Sequence, residues 1–124
     1  MRPRYRVWDK EEKRMIYDAE NTYDSYPVNI SSFGIILDLP NFYDVMQYIG
    51  IKDVNSNRIY EKDIVRITTT QTEETRIGEV IYYPGNAMYL VETTMEDYFT
   101  FMSQDIKSVE VLGNIHENKG LLNE

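Results

Sequence analysis

The acidic side chains between residues 52 and 65 are the first candidates for chemistry in this chain. The segment KDVNSNRIYEKDIV places Asp53, Glu61 and Asp63 around an Asn-Ser-Asn run and directly before apolar residues. Such carboxylates either gather over a ligand or cap turns. Asparagine tolerates the left-handed backbone conformation and its side chain mimics a backbone turn, so residues 55–57 predict a turn. We therefore expect these acids to cap turns, with a hairpin closing between MQYIGIKD and RIYEKDIV and a second bend at residues 61–63.

Acid–base and nucleophilic catalysis have few other candidates. The adjacent carboxylates Glu73–Glu74 and Glu96–Asp97 would need one member buried with a raised pKa, whereas acids in polar loops usually stay solvated. His116 is the only histidine and follows the last apolar run, where we expect a surface position without the orienting partners of a triad. The sequence thus predicts no catalytic residue and a protein that is not an enzyme.

Metal and cofactor sites are also not expected. The chain has no cysteine, which removes thiolate ligands, and it has neither a carboxylate calcium loop nor a glycine-rich phosphate loop. We predict no metal and no cofactor. No long apolar window or secretory leader is present, so the sequence predicts no membrane association and a cytoplasmic location.

Charge is unevenly distributed along the chain. Residues 1–14 carry a net charge of +3 and the remainder a net charge of −11, which gives −8 overall. Phosphate binding depends on basic groups, so the acidic body disfavours nucleic acid, while Arg4 and Arg6 remain candidate phosphate contacts. The alternative is that these two arginines solvate an edge strand, since charged side chains block edge pairing.

Tyrosine is the residue type that best suggests a binding surface. The chain has eleven tyrosines, and small barrels often bind peptides or nucleic acid over aromatic side chains. The alternative is that aromatic residues favour strands and fill a small core. Both readings apply to the candidate binding residues, which are Tyr60, Tyr82, Tyr83, Tyr89 and Tyr98.

These residues must be positioned by strands, because Val, Ile, Thr, Phe and Tyr recur in short clusters bounded by Gly, Pro, Asn and Asp. Pro-Gly-Asn at residues 84–86 predicts a hairpin turn. Residues 40–48 fit either a helix capped by Asn41 or a strand. We expect a loop at 23–32 and a 3₁₀ turn at 102–106. The predicted strands lie near residues 4–8, 13–18, 33–38, 46–51, 63–69, 76–83, 87–93, 97–101 and 108–113.

This layout predicts a mostly-β fold with at most one or two short helical turns. An N-terminal antiparallel β segment with a hairpin would cover residues 1–57. An SH3-like small barrel would cover 58–115, and a polar C-terminal tail would cover 116–124. The core of the barrel should include the apolar residues Ile64, Val65, Ile67, Val80, Leu90, Val91, Val109 and Val111.

The segments RYRVWDKEEKRM, MQYIGIKDVNSNRIYEKDIV and VEVLGNIHEN are three blocks that follow one another in this order along the sequence. They are similar to the opening, the central signature and the closing segment of the YopX-like proteins of phages and prophages. Ser56 and Lys62 stand where the family pattern has glycines. The resemblance implies an SH3-type barrel and a prophage origin, and it implies no particular activity.

Together these features predict a non-enzymatic phage or prophage accessory protein that acts as a protein-binding or self-assembling module. Strand edges and an excess of aromatic residues favour a homo-oligomer, with a host protein as a further candidate partner. Two alternatives remain: a nucleic-acid-associated protein that uses the basic N-terminus and the barrel tyrosines, and an acidic DNA mimic.

Overall fold

The structure is a computed structural model, which describes residues 3–21, 33–101 and 104–123. These residues form nine β-strands, one short α-helix and two 3₁₀ segments, Ala19–Asn21 and Lys119–Asn123. The mostly-β prediction is confirmed. The strands and the helix are β1 (Tyr5–Asp9), β2 (Arg14–Tyr17), α1 (Phe33–Leu37), β3 (Tyr43–Lys52), β4 (Arg58–Tyr60), β5 (Asp63–Thr69), β6 (Thr75–Tyr83), β7 (Met88–Thr93), β8 (Tyr98–Thr100) and β9 (Ile106–Asn114).

The chain divides into two compact units, Met1–Tyr48 and Ile49–Glu124. This division lies earlier in the chain than the predicted boundary between residues 57 and 58. The reason is packing: Ile49 on β3 and Ile59 on β4 both pack into the core of the second unit.

The first unit is built on β1, which pairs antiparallel with β2 on one side and with β3 on the other. Val7, Ala19 and Ile36 form its buried core, and the rings of Tyr5 and Phe33 pack with their centroids 5.0 Å apart. Since β1 has a strand on each side, the expectation that Arg4 and Arg6 solvate an edge strand is wrong.

The sequence-based predictions for two segments of the first unit were ambiguous or wrong. The open choice at residues 40–48 is settled as a turn at 40–42 followed by β3. The predicted strand at 33–38 is wrong, because residues 33–37 form α1. Phe33 and Ile36, three positions apart, both face the core, whereas Leu37 is exposed. So short an apolar run fits the helical period and the strand period equally well. The predicted loop at 23–32 lies outside the described residues.

The second unit is an antiparallel sheet in the order β8-β7-β6-β5-β9. The pairing of β5 with β9 shifts register twice, after Ile64 and after Thr68, and such bulges bend and twist a strand. The sheet curls into a half-barrel, which confirms the small C-terminal barrel. The expected 3₁₀ turn at 102–106 lies partly outside the described residues, at 102–103. Residues 104–105 form a turn before β9.

The inner face of the half-barrel carries the core. Its buried residues are Ile59, Val65, Ile67, Val80, Val91 and Val109, and Val111 packs against them. Ile64 and Leu90 are also buried, but they occupy the other face of the sheet, opposite Glu79 and Thr100 respectively. Every predicted core residue is therefore at least partly buried, with the set shared between two faces. No helix in the described part of the chain is long and apolar enough to span a bilayer.

Candidate functional site

Asp53, the first of the acidic candidates, is occupied by backbone donors. Its Oδ1 accepts hydrogen bonds from the N–H groups of Asn55 (2.9 Å) and Asn57 (2.8 Å), and its Oδ2 accepts one from Val111 (2.8 Å). Burial raises the pKa of Asp53, but the three donors outweigh this and hold the pKa below its ordinary value. The carboxylate closes the β3–β4 turn and ties it to β9, as the capping prediction requires.

Asp63 has a similar structural role in the next bend. Its side chain is fully buried, and Oδ2 accepts a hydrogen bond of 2.8 Å from the N–H of Tyr60. The two positions where the family pattern has glycine keep a left-handed backbone, with φ of 66° at Ser56 and 68° at Lys62. The hairpin and the bend are thus formed as predicted, with ordinary L-residues in glycine-like conformations.

Three of the four loop carboxylates form ion pairs. Glu73 pairs with Lys107, which lowers the pKa of Glu73, whereas a general acid would need a raised pKa. The guanidinium of Arg76 lies 2.7 Å from Glu74 and 3.5 Å from Asp97. Within the described ranges no three His, Asp or Glu side chains gather as a metal site.

Two of the seven candidate binding residues lie in the interior. Arg6 and Tyr60 are each only 3% exposed. Arg4 lies 3.5 Å from the carboxylate of Glu20, whose other oxygen accepts a hydrogen bond from the N–H of Tyr5. The basic N-terminal strand is therefore engaged in contacts within the first unit.

The remaining four tyrosines lie on β6, β7 and β8. Tyr82 and Tyr89 are directly opposite each other on the hairpin, and their ring centroids lie 5.2 Å apart in an edge-on arrangement. Tyr83 occupies the opposite face, and Tyr98 lies on that face too, across from Glu92. The exposed fractions are 44% for Tyr82, 48% for Tyr83 and 66% for Tyr98. The structure therefore brings three of these tyrosines to one hairpin and leaves Tyr98 beside it.

The β6–β7 hairpin extends beyond both neighbouring strands. Its pairing with β5 ends at Glu79, apart from one hydrogen bond of 2.7 Å from the Lys62 N–H to the Val80 carbonyl. Its pairing with β8 ends at Leu90. Residues 82–89, which we call the hairpin end, consequently pair only with one another among the described residues. Two strands without a third are marginally stable in water, so exposed aromatic residues here favour a contact surface.

A groove runs along the β5 side of this hairpin. It has a volume of about 350 Å³ and is lined by Glu61, Lys62, Glu79, Val80, Ile81, Tyr82 and Pro84. Two carboxylates and the ammonium group of Lys62 thus lie towards the half-barrel, and an aromatic ring and a proline lie towards the turn. A second cavity of about 170 Å³ lies on the other side of Glu79, beside Glu92 and Leu122.

Glu79 is the titratable residue that the sequence reasoning missed. Burial raises its pKa most and Glu92, directly across the strand pair, raises it further, while Lys62, His116 and Lys119 act in the opposite direction. Like charges directly opposite each other destabilise a sheet. The signal was available, because extending the Pro-Gly-Asn hairpin in register places residue 79 across from residue 92.

The C-terminal segment after β9 is folded on Asn114. The Asn114 Oδ1 accepts hydrogen bonds from the N–H groups of His116 (3.0 Å) and Glu117 (2.9 Å). His116 is half-buried instead of lying on the surface as expected. The following 3₁₀ segment, Lys119–Asn123, contacts β5, and its Leu122 lines the cavity beside Glu79. This segment therefore packs against the half-barrel.

Comparisons with known proteins agree with this architecture and confirm the resemblance. The family model described as YopX protein matches residues 4–123. The chain is similar in structure to protein yopX from Bacillus subtilis, with a TM-score of 0.62, 25% identity, and coverage of 96% of this chain and 97% of the other. It shares the fold of protein EF1440 from Enterococcus faecalis, with a TM-score of 0.56, 22% identity, and coverage of 98% and 99%. No curated protein matches the chain.

Proposed function

We propose that this chain, which belongs to the YopX family, is a non-enzymatic module that binds another protein through the hairpin end. The family name specifies no activity, so the proposal is argued from the surfaces of the chain. The observation that carries this proposal is the extension of residues 82–89 past both neighbouring strands with exposed tyrosine on each face. Tyrosine contributes a large, rigid contact area with a polar tip, and it is enriched at binding hot spots.

The partner is a second copy of this chain or a protein of the host. Self-assembly is supported by the exposed tyrosines of the hairpin end and opposed by the net charge of −8. That repulsion is screened within about 8–10 Å at physiological salt. The phage or prophage origin and the host cytoplasmic location are part of the same proposal. The lack of cysteine suits a reducing compartment.

The nucleic-acid alternative has less support. Arg6 is buried, and Arg4 is paired with Glu20, so using either for phosphate contacts would require rearranging the first unit. The exposed tyrosines could still stack on bases, but the groove beside Tyr82 carries two carboxylates and one lysine, which disfavours phosphate.

A photo-cross-linking experiment tests the proposal. A benzophenone amino acid placed at Tyr83 should cross-link a partner in host cells, and the same group at Ile51, an exposed apolar residue on β3, should not. A product of twice the chain mass identifies self-assembly, and a product of another mass identifies a host protein. Equal products from both positions, or none from position 83, would contradict the proposal.

A further inference from the structure

We propose that the groove beside β6 accepts an extended segment of a partner protein, which adds as a strand to the edge of β6 and places a basic side chain between Glu61 and Glu79. This inference deepens the proposed function, because it names the chemistry of the partner and the backbone groups that would recognise it. It rests on three features of the groove: an unpaired length of strand edge, a cavity along that edge, and a difference in character between its two ends.

The strand edge follows from the alternation of backbone groups in an antiparallel sheet. The Val80 carbonyl accepts a hydrogen bond from Lys62, so the backbone groups of Val80 face the β5 side. Alternate residues of a strand face the same side, and Tyr82 therefore points its N–H and C=O there as well. In the residues that the structure describes, the pairing of β5 with β6 stops at Glu79, so no strand pairs with Tyr82 on this side. Such a pair of groups is a template for strand addition.

The cavity lies along this edge, and its lining indicates the polarity of the occupant. Glu61, Lys62 and Glu79 lie at the end of the groove nearer the half-barrel, with Glu92 across the strand from Glu79, so three acids face one base there. Tyr82 and Pro84 lie at the other end, next to the turn. A lysine or arginine at the first end would relieve the repulsion between Glu79 and Glu92, and an apolar side chain at the second end would cover the tyrosine ring.

A second copy of this chain fits the groove less well than a basic segment does. Pairing two β6 edges would bring Glu79 of each copy towards the same contact, and both copies carry a net charge of −8. The basic residues of the N-terminal strand do not compensate, since Arg6 is buried and Arg4 is paired with Glu20. Charge complementarity therefore favours a different protein with an exposed, extended, basic segment.

The test uses the full-length, isotope-labelled chain and a capped octapeptide of alternating lysine and valine as the probe. We expect binding in the high micromolar to low millimolar range, at least fivefold slower hydrogen exchange at the Tyr82 amide, and no change at the Tyr83 amide, which faces β7. An octapeptide N-methylated at every residue should bind at least tenfold more weakly, because neither of its edges can donate a backbone hydrogen bond. A glutamate–valine octapeptide should not bind.

Substitutions separate the groove from the rest of the surface. Glu79→Gln should weaken binding of the lysine–valine peptide about threefold to tenfold, whereas Glu110→Gln, which alters an exposed acid on β9, should leave it unchanged. Equal binding of the N-methylated peptide, or an unprotected Tyr82 amide at saturating peptide, overturns strand addition. Concentration-dependent protection of Tyr82 without peptide would show a second copy in the groove and overturn the assigned occupant.

The two proposals fail in different ways. Cross-links from position 83 combined with an unprotected Tyr82 amide would leave the binding function standing and remove the strand-addition mode. Protection of Tyr82 by the peptide without cross-links from position 83 would keep the groove and remove the tyrosine surface as the contact site.

Discussion

Two of the hairpin turns in the second unit are built in opposite ways. The β3–β4 turn is held by one buried carboxylate, with three N–H donors within 2.9 Å of Asp53. The β6–β7 turn has two backbone hydrogen bonds of 3.3 Å, Asn86 N–H to Tyr83 O and Ala87 N–H to Pro84 O, and presents tyrosines on both faces. The charged segment that looks functional is thus structural, and the simpler turn carries the candidate binding surface.

The same contrast is visible in two of the carboxylates whose pKa values are shifted, Asp53 and Glu79. Asp53 is buried but fully provided with donors, so its pKa is lowered. Glu79 is partly buried opposite another carboxylate, and its pKa is raised. A lowered pKa means that the charged form stabilises the fold, whereas a raised pKa marks a charge that the folded state tolerates at a cost. Residues of the second kind are better candidates for recognition of a partner.

The largest expected effect on stability comes from a substitution at the base of the β6–β7 hairpin, whereas a matched substitution at its end should have little effect. A Cβ at Gly78 would lie 2.4 Å from the carbonyl oxygen of Glu92 and 2.8 Å from the Cα of Thr93. Because backbone cannot move aside easily, Gly78→Ala should lower the free energy of unfolding by about 3 kcal/mol. Denaturant titration followed by circular dichroism measures this.

Gly85→Ala is the matched control for that change. Its nearest contact would be the Tyr83 ring at 3.2 Å, and a side chain can shift by a few tenths of an ångström. We expect a change below about 0.5 kcal/mol, as for surface positions in general. A loss as large as that of Gly78→Ala would mean that the hairpin end is as tightly packed as its base.

The next largest effect concerns Asp53. Asparagine has a single acceptor oxygen, so Asp53→Asn turns an amide N–H₂ towards at least one backbone donor and should cost about 2 kcal/mol. Since the folded-state pKa of Asp53 is lowered, its stabilisation is present above the ordinary pKa of aspartate and is lost as the pH falls through the folded value.

The wild-type protein should therefore lose more stability on acidification than the Asp53→Asn variant, which thermal melts across an acidic pH series would measure. Glu110→Gln, which removes an exposed ion pair with Arg66, serves as a control and should cost no more than about 0.5 kcal/mol. Parallel acid profiles for wild type and Asp53→Asn would contradict the role assigned to this carboxylate.

Ser56 provides a smaller effect within the same turn. Its φ of 66° is unfavourable for an L-residue, and glycine there should raise the free energy of unfolding by about 1 kcal/mol. Ser56→Ala keeps the unfavourable φ and should give no gain. Lys62→Gly, at a φ of 68°, should behave like Ser56→Gly. A melting temperature that fails to rise in either glycine variant would contradict this reading of the turns.

Glu79 gives the smallest effect and the opposite sign to Asp53. Its folded-state pKa is raised, so its favourable contribution is full below the ordinary pKa of glutamate and is lost as the pH rises through the folded value. Glu79→Gln should therefore stabilise the protein by about 0.5 kcal/mol at neutral pH, the scale of a cross-strand charge pair.

Below about pH 4, where glutamate is protonated, that gain should disappear. Equilibrium unfolding of wild type and Glu79→Gln at both pH values measures the difference. A gain that persists unchanged at acidic pH would assign the effect to packing and not to charge.

Much of the second unit could be predicted because its signals are local. Asp63–Thr69 has the predicted strand bounds, and the Pro-Gly-Asn turn joins β6 and β7 as expected. Alternation and turn residues act over a few positions, so they can be read along the chain. The misassigned strand at 33–38 shows the limit, since a short apolar run satisfies two periods at once.

The sequence by itself determined the β-rich fold, the positions of the turns and the family. Only the tertiary structure decided which charged and aromatic residues are accessible. Arg6 and Tyr60 became buried because β1 is a central strand and Tyr60 packs beside the Asp63 bend. Tyr82 remained exposed because β5 ends its pairing at Glu79, before reaching it. The exposure of a strand residue depends on where the neighbouring strands end. The length of a paired strand is set by long-range pairing, which local residue patterns do not encode.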